Sequence, residues 1–137
     1  MPTTFSTLPS DPARGTMPRV VVHQLLMTAT GYATPPVRLG DDEDRGSVQL
    51  SSATEKALST GAARLQISND EQDWTDAPAS IVTNATITGA GIIDTFVAGS
   101  NLSVRMVVTT AEADRIGRVT WVIRKAAAAV RTGEGIA

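Results

Sequence analysis

Hydrophobic and polar residues alternate along several short stretches of the chain. Residues 46–51, 62–68, 101–110 and 117–125 each place apolar side chains at every second position. In 62–68, for example, Ala63, Leu65 and Ile67 alternate with polar residues. Because a strand points successive side chains to opposite faces, this period is typical of a strand with one buried face. We therefore predict a half-buried strand at each of these positions.

The segments between these strands have less regular patterns. Residues 19–30 (RVVVHQLLMTAT) are rich in β-branched residues and predict a strand that is apolar on both faces for most of its length. Residues 31–46 hold two prolines and an acidic cluster, which indicates a long loop. Residues 52–61 contain good helix formers before Gly61, so they predict one or two turns of helix or a loop. Two or three short strands are expected in 79–97, around a turn at Gly89 to Gly91.

The last two alternating segments, 102–109 and 118–124, are joined by a short connection, AEADRI. This spacing predicts that they form an antiparallel hairpin. Counting all segments gives an all-β fold, a single antiparallel β-sandwich or barrel of seven to eight short strands over residues 18–125. Proline-rich residues 1–17 predict an extended N-terminal arm, and residues 126–137 predict a C-terminal tail.

Composition excludes several classes of function. The 137 residues include 12 Lys plus Arg and 14 Asp plus Glu, for a net charge of −2. No long basic block is present, so we expect no nucleic-acid partner. The longest apolar runs fall far short of the roughly 20 residues that a membrane helix needs, so we expect no membrane contact. The absence of cysteine removes disulfides and thiolate chemistry, and residues 1–15 lack the features of a secretory signal.

No residue pattern indicates catalysis or a cofactor. His23 is the only histidine and lies in an apolar strand, so neither a histidine-rich metal site nor a serine triad is expected. The acidic cluster DDEDRG (41–46) could suggest calcium, but its adjacent acids lack the alternate spacing of calcium loops, which favours a solvated loop. Paired carboxylates for glycoside hydrolysis would need more aromatics than the chain has. We predict a protein without enzymatic activity, metal or cofactor.

Two sets of residues are candidates for binding. Arg64, Arg105, Arg118 and Arg124 all fall on the polar faces of predicted strands. These arginines either form a solvated surface or a basic stripe that docks on an acidic protein surface. The second set, Asp70, Asp73 and Trp74, lies in one loop and would be a ligand site if the tryptophan is exposed.

The segment ISNDEQDWTDA (67–77) carries a resemblance to a known family. Its order of strand, S-N-D, polar residues and tryptophan resembles a β-sandwich domain of tailed-bacteriophage virion proteins, in which the usual form is S-N-D-G-x-x-W. Residues 104–109 and 118–123 occupy the places of the two later strands of that domain. The resemblance covers about residues 46–125, and Glu71 stands where the family usually has glycine.

This resemblance implies a structural role in a phage particle. The leading hypothesis is a capsid decoration or cement protein, made in the host cytoplasm, that binds the major capsid protein or another virion protein at the capsid surface. A homotrimer is implied by the resemblance alone. The alternatives are a carbohydrate-binding module of a tail or surface appendage, and a head-to-tail adaptor or tail-terminator subunit. A carbohydrate module would need Trp74 or Tyr32 open to solvent on a concave surface.

Overall fold

The computed structural model describes residues 17–126, so the predicted arm and tail lie almost entirely outside the described residues. Within these residues there are nine strands: β1 (Arg19–Leu26), β2 (Val37–Arg38), β3 (Glu43–Ser52), β4 (Ala62–Ser68), β5 (Thr75–Asp76), β6 (Thr86–Thr88), β7 (Gly91–Val97), β8 (Ser103–Thr110) and β9 (Ile116–Lys125). All pairings are antiparallel, which confirms the predicted all-β class. Residues 17–126 contain no helix that could cross a membrane.

The strands form two sheets. The four-stranded sheet has the order β1-β9-β3-β7. In the five-stranded sheet, β2-β8-β4-β5 is the main path, and β6 pairs with β4 beside β5. Each sheet turns one face toward the other, because the alternating residues on that face are apolar and must be removed from water.

The hydrophobic core lies between the sheets and takes its side chains from the inward face of each strand. On β9, Val119, Trp121 and Ile123 are all buried, whereas the residues between them are not. Trp121 meets Phe96 of β7 edge to face, with ring centroids 6.2 Å apart and an angle of 86° between the rings. This geometry is favourable for aromatic quadrupoles, so the pair anchors the four-stranded sheet to the core.

The predicted hairpin of the last two long strands is wrong. β8 pairs with β2 and β4, whereas β9 pairs with β1 and β3, so the two strands belong to different sheets. Residues 111–115 therefore cross from one sheet to the other. Glu112 holds this crossing in place, since its carboxylate accepts hydrogen bonds from the backbone N–H groups of Ser59, Thr60 and Gly61. Alternation identified both strands, but it carries no information about which strand lies alongside.

The structure corrects one prediction for the connecting segments and decides between the two alternatives left open for another. The region expected to be one long loop, 31–46, contains the short strand β2, and β3 already begins at Glu43 within the acidic cluster. Residues 52–61 contain no helix. There the Ser52 hydroxyl donates to the Thr54 and Lys56 carbonyls, and the Thr54 hydroxyl oxygen accepts from the Lys56 N–H. Such local side-chain bonds give the backbone an alternative to the helical ladder.

The first and last strands of the sandwich are neighbours. Arg19, at the start of β1, lies opposite Ile123 near the end of β9, and Lys125 lies opposite Glu43. The described chain therefore begins and ends at the same pole of the four-stranded sheet.

Candidate interaction surfaces

Two of the four candidate arginines, Arg64 and Arg105, lie on the outer face of the five-stranded sheet. The register places Gln66 of β4 opposite Arg105 on one side and opposite Asp76 on the other. Arg105 Nε donates to Gln66 Oε1 at 3.0 Å, and Gln66 Nε2 donates to Asp76 Oδ1 at 3.0 Å. We call Arg64, Gln66, Trp74, Asp76, Thr86 and Arg105 the polar cluster.

Arg64 lies at the other end of the polar cluster, between Asp76 and Thr86. Its Nε atom lies 3.2 Å from Asp76 Oδ2, and its Nη1 donates to the Thr86 hydroxyl at 2.9 Å. Both arginines of this sheet are thus engaged by their own chain. A partner that used them would compete with contacts that already exist, and most of those contacts are hydrogen bonds in fixed register.

Trp74 lies against Arg105 rather than against a groove. The Arg105 guanidinium carbon is 4.2 Å from the centre of the Trp74 ring, which is the geometry of a cation–π contact. Burial lowers the pKa of Arg105 from its ordinary value, although a guanidinium remains charged at any physiological pH. One face of the indole is therefore covered by the protein itself.

The other two arginines lie on the opposite side of the molecule. Arg118 and Arg124 are on β9, on the outer face of the four-stranded sheet, and both are exposed. Within residues 17–126 neither makes an ion pair or a side-chain hydrogen bond. The four arginines therefore divide into two pairs on the two outer faces, and the predicted stripe is not one continuous surface.

Apolar side chains accompany Arg118 and Arg124 on this outer face. Val20 and Val22 of β1 are 58% and 55% exposed, and they lie opposite Val122 and Thr120 of β9. Ile92 of β7 is 61% exposed at the far edge of the same sheet. We call Val20, Val22, Thr120, Val122, Arg118 and Arg124 the open face. These valines are not among the predicted site residues, although the prediction of a strand apolar on both faces already implied apolar side chains on its outer face.

The loop between β4 and β5 contains the alternative ligand residues, and its carboxylates serve the turn. Asp70 Oδ1 accepts the Gln72 and Asp73 N–H groups, both at 2.9 Å, and also the Ser68 hydroxyl. These bonds, the one from Asp73 first, lower the pKa of Asp70. An open groove beside the loop is lined by Asp70 and Asp73 but not by Trp74. The structure thus separates the tryptophan from the acids that would share a ligand with it.

Glu71 stands at the position where the resembled family has glycine. Its backbone φ is 61°, in the left-handed region that glycine adopts without strain. Its carboxylate accepts the Ser103 hydroxyl at 2.5 Å and lies 3.5 Å from Arg38 Nη1. These contacts hold an unfavourable backbone conformation, so the turn keeps the shape that a glycine would allow.

The acidic cluster 41–46 is not simply a solvated loop, because one of its carboxylates is buried and others form ion pairs. Glu43 is buried, and its carboxylate accepts Arg19 Nη2 and the Gly40 N–H, each at 2.7 Å. Its hydrogen bond with Arg19 is the main reason that the pKa of Glu43 lies below its ordinary value. Asp44 pairs with Arg45, and Asp42 pairs with Lys125. In the part of the chain that the structure describes, no three His, Cys, Asp or Glu side chains converge as metal ligands.

His23 is on the inward side of β1, opposite Val119. Its Nδ1 atom is buried and has no hydrogen-bond partner within residues 17–126. Burial lowers the pKa of His23, which favours the neutral imidazole.

Comparisons with known proteins yielded structural similarities only. No family model matches the chain, and no curated protein matches it. Among solved structures, the acid-stable capsid of Helicobacter pylori bacteriophage KHP30 is similar with a TM-score of 0.48 and 15% identity, over 80% of this chain and 88% of that chain. A protein of Sulfurospirillum deleyianum is similar with a TM-score of 0.47 and 8% identity, over 80% and 98%. The cyanophage Pam1 capsid gives a TM-score of 0.40 and 20% identity, over 80% and 87%. TM-scores of this size assign neither a family nor a function to the chain.

Proposed function

We propose that the protein is a non-enzymatic bacteriophage structural protein, a capsid decoration or cement protein that binds the outer surface of the major capsid protein. The observation that carries this proposal is the open face, where solvent-exposed valines lie beside arginines that have no side-chain partner within residues 17–126. Exposed apolar surface next to unpaired arginine is the composition of a protein-docking surface.

The phage context of the proposal rests on the S-N-D loop. In the resembled domains a glycine follows S-N-D, and here Glu71 adopts the left-handed conformation at that position. The Ser68 hydroxyl oxygen accepts the Asp70 and Glu71 N–H groups and so fixes the start of the turn. Glu71 is the one position where the sequence departs from the motif, and its backbone still has the conformation that glycine favours. This agreement supports the resemblance.

Charge on the open face favours an acidic partner. Arg124 lies directly opposite Arg45 in the register of β9 and β3. Like charges at opposite positions repel each other, and Asp44 neutralises only Arg45. A carboxylate on the capsid surface would relieve this repulsion and form a charge-assisted hydrogen bond. We therefore propose Arg118 and Arg124, rather than Arg64 and Arg105, as the contacts with the capsid.

The proposed mechanism is mechanical. A protein that buries surface across a boundary between capsid subunits adds binding free energy, which must be lost before those subunits separate. Residues 1–17 would add further contact area from the pole at which β1 begins. Deleting them should weaken attachment and leave the sandwich folded.

The test is binding of the purified protein to phage particles that lack it. We expect co-sedimentation with the particles and greater resistance to heat and osmotic shock. The variant Arg124→Glu should bind more weakly, whereas Lys56→Glu, which reverses one charge at an exposed residue that is not part of the open face, should bind like the wild type. Failure of the wild-type protein to bind, or equal loss in both variants, would contradict the proposal.

The carbohydrate-binding alternative receives less support. Sugars are bound by stacking on open aromatic rings, and Arg105 covers one face of Trp74. Tyr32 is 38% exposed but does not line the groove beside Asp70 and Asp73. Binding of an oligosaccharide that is lost in Trp74→Ala would favour this alternative over the capsid proposal.

A further inference from the structure

Within residues 17–126, strand β1 is an open edge of the four-stranded sheet. It pairs with β9 along its whole length, from Arg19 opposite Ile123 to Leu26 opposite Ile116. No other strand within residues 17–126 pairs with its second side. The backbone N–H and C=O groups on that side thus form a row available to another extended chain.

The opposite edge of the same sheet, β7, carries features that discourage such pairing. Its register with β3 shifts between Gly46 and Val48. Thr95 has a φ of 56°, and the neighbouring Asp94 adds a charge in mid-strand. Irregular backbone and mid-strand charge are common means by which proteins protect an edge from edge-to-edge association.

Strand β1 has none of these features. Its register with β9 is regular over eight consecutive pairs, and it contains no proline. Its only formally charged residue at neutral pH, Arg19, is held by Glu43 of its own chain. Val20 and Val22, at 58% and 55% exposure, add apolar surface directly beside the open backbone. An eight-residue edge of this kind is the part of the molecule best suited to strand addition.

We propose that β1 of one molecule pairs antiparallel with β1 of a second copy, which joins two four-stranded sheets into one eight-stranded sheet. A two-fold axis places the same strand on both sides, so Val20 and Val22 lie beside their counterparts and extend one apolar stripe. No like charges meet within the strand. This stoichiometry differs from the trimer implied by the resemblance, and it does not depend on the proposed capsid function.

The N-terminal segment of the same chain is a poorer occupant of this edge. A hairpin that paired residues 7–14 with β1 through a four-residue turn at 15–18 would include Pro9 and Pro12 in the added strand. These prolines are three positions apart, and ladder N–H groups alternate in direction along a strand. One of the two would therefore lack the N–H that should point toward β1. The β1 strand itself has all its donors.

The test is sedimentation velocity of the full-length protein alone, over a range of concentrations. We expect a reversible monomer–dimer equilibrium. The variant Val20→Lys/Val22→Lys should raise the dissociation constant by roughly tenfold or more, because four lysines would cluster across the axis. Its matched control is Ile92→Lys/Val97→Lys, which adds two lysines at comparably exposed positions of the other edge strand and should dimerise like the wild type.

A mixing experiment tests the contact directly. Val20→Glu/Val22→Glu should likewise dimerise more weakly alone, and mixing it with the lysine variant should restore a heterodimer. Circular dichroism of each variant checks that the sandwich is intact. Dimerisation lost only in the Ile92→Lys/Val97→Lys control, a trimer unaffected by the β1 variants, or a wild-type protein that stays monomeric would each overturn the proposal.

Discussion

On the outer face of the five-stranded sheet, Arg105, Gln66 and Asp76 are joined to one another by hydrogen bonds. On the outer face of the four-stranded sheet, Arg118 and Arg124 make no ion pair within residues 17–126, and exposed valines lie beside them. The strands that carry these arginines, β4, β8 and β9, show the same alternation of apolar and polar residues. The difference arises from an acid within reach: Asp76 lies 3.2 Å from Arg64 and accepts from Gln66, which in turn binds Arg105. On the other sheet the register places Ser51 and Gln24 opposite Arg118, and Arg45 opposite Arg124.

The comparison shows how a binding surface can be distinguished from a merely polar one. A polar face whose donors and acceptors satisfy each other gains little from a partner, because binding would exchange existing hydrogen bonds for new ones. A face with unpaired charge and exposed apolar area gains binding free energy both from new ion pairs and from the burial of apolar surface. The open face is therefore the better candidate for a contact surface, and the following predictions test the distinction.

The largest effect is expected at Trp121, on the inward side of the strand that carries the open face. Trp121→Ala should lower the free energy of unfolding by about 3–5 kcal/mol, since it removes a fully buried ring that packs against Phe96. Val122→Ala, one position along on the open face, should cost less than about 1 kcal/mol. Denaturant unfolding measures both. Similar losses of unfolding free energy in the two variants would show that β9 does not have one buried and one exposed face.

Glu112, which fixes the crossing between the two sheets, should make stability depend on pH. Backbone N–H groups, that of Gly61 first, lower the pKa of Glu112 to about 2, from an ordinary value of 4.5. A lowered folded-state pKa means that the stabilisation is complete above pH 4.5 and is lost as pH falls toward 2.

Glu112→Gln should therefore be less stable at neutral pH and lose less stability on acidification than the wild type. Thermal unfolding at several pH values between 2 and 7 measures the effect. Asp94→Gln, at an exposed position of β7, is the control and should follow the wild-type curve. Parallel curves for wild type and Glu112→Gln would contradict this role.

A smaller effect is expected when the polar cluster is broken. Arg105→Ala removes the hydrogen bond to Gln66 and the cation–π contact with Trp74, so it should cost about 1 kcal/mol in unfolding free energy. Because the Trp74 ring becomes more accessible, tryptophan emission should also shift to longer wavelength. An unchanged spectrum would mean that Arg105 does not cover the ring in solution.

The smallest effect on stability is expected for Arg118→Ala. With no side-chain partner within residues 17–126, its removal should change the unfolding free energy by no more than about 0.5 kcal/mol. Paired with Arg105→Ala in the same denaturant series, it measures the difference between the two outer faces. A loss as large as that of Arg105→Ala would remove the distinction.

Local patterns predicted the strands of this protein better than their arrangement. The alternation in 62–68 gave β4 with the bounds that the structure has, and the pattern in 117–125 gave nearly all of β9. The partner of β8 was predicted wrongly, because alternation specifies which face is buried but not which strand lies alongside. The decisive interaction, Glu112 with residues 59–61, joins positions more than fifty residues apart.

The candidate surfaces depended on long-range contacts in the same way. The burial of Glu43 follows from its partner Arg19, 24 residues away, and no local pattern shows that pairing. The polar faces of Arg64, Arg105, Arg118 and Arg124 were visible in the sequence. Their division between two sheets was not, because it follows from the crossing at 111–115.

Because β1 and β9 are neighbours, the chain can be circularly permuted. A flexible linker from residue 126 back to residue 17 would span a short gap at one pole, where Arg19 lies opposite Ile123. New termini between Glu55 and Lys56, both exposed, would interrupt no strand. Such a circular permutant would keep every ladder of both sheets. Peptides fused to residues 17 and 126 would, by the same geometry, be displayed side by side.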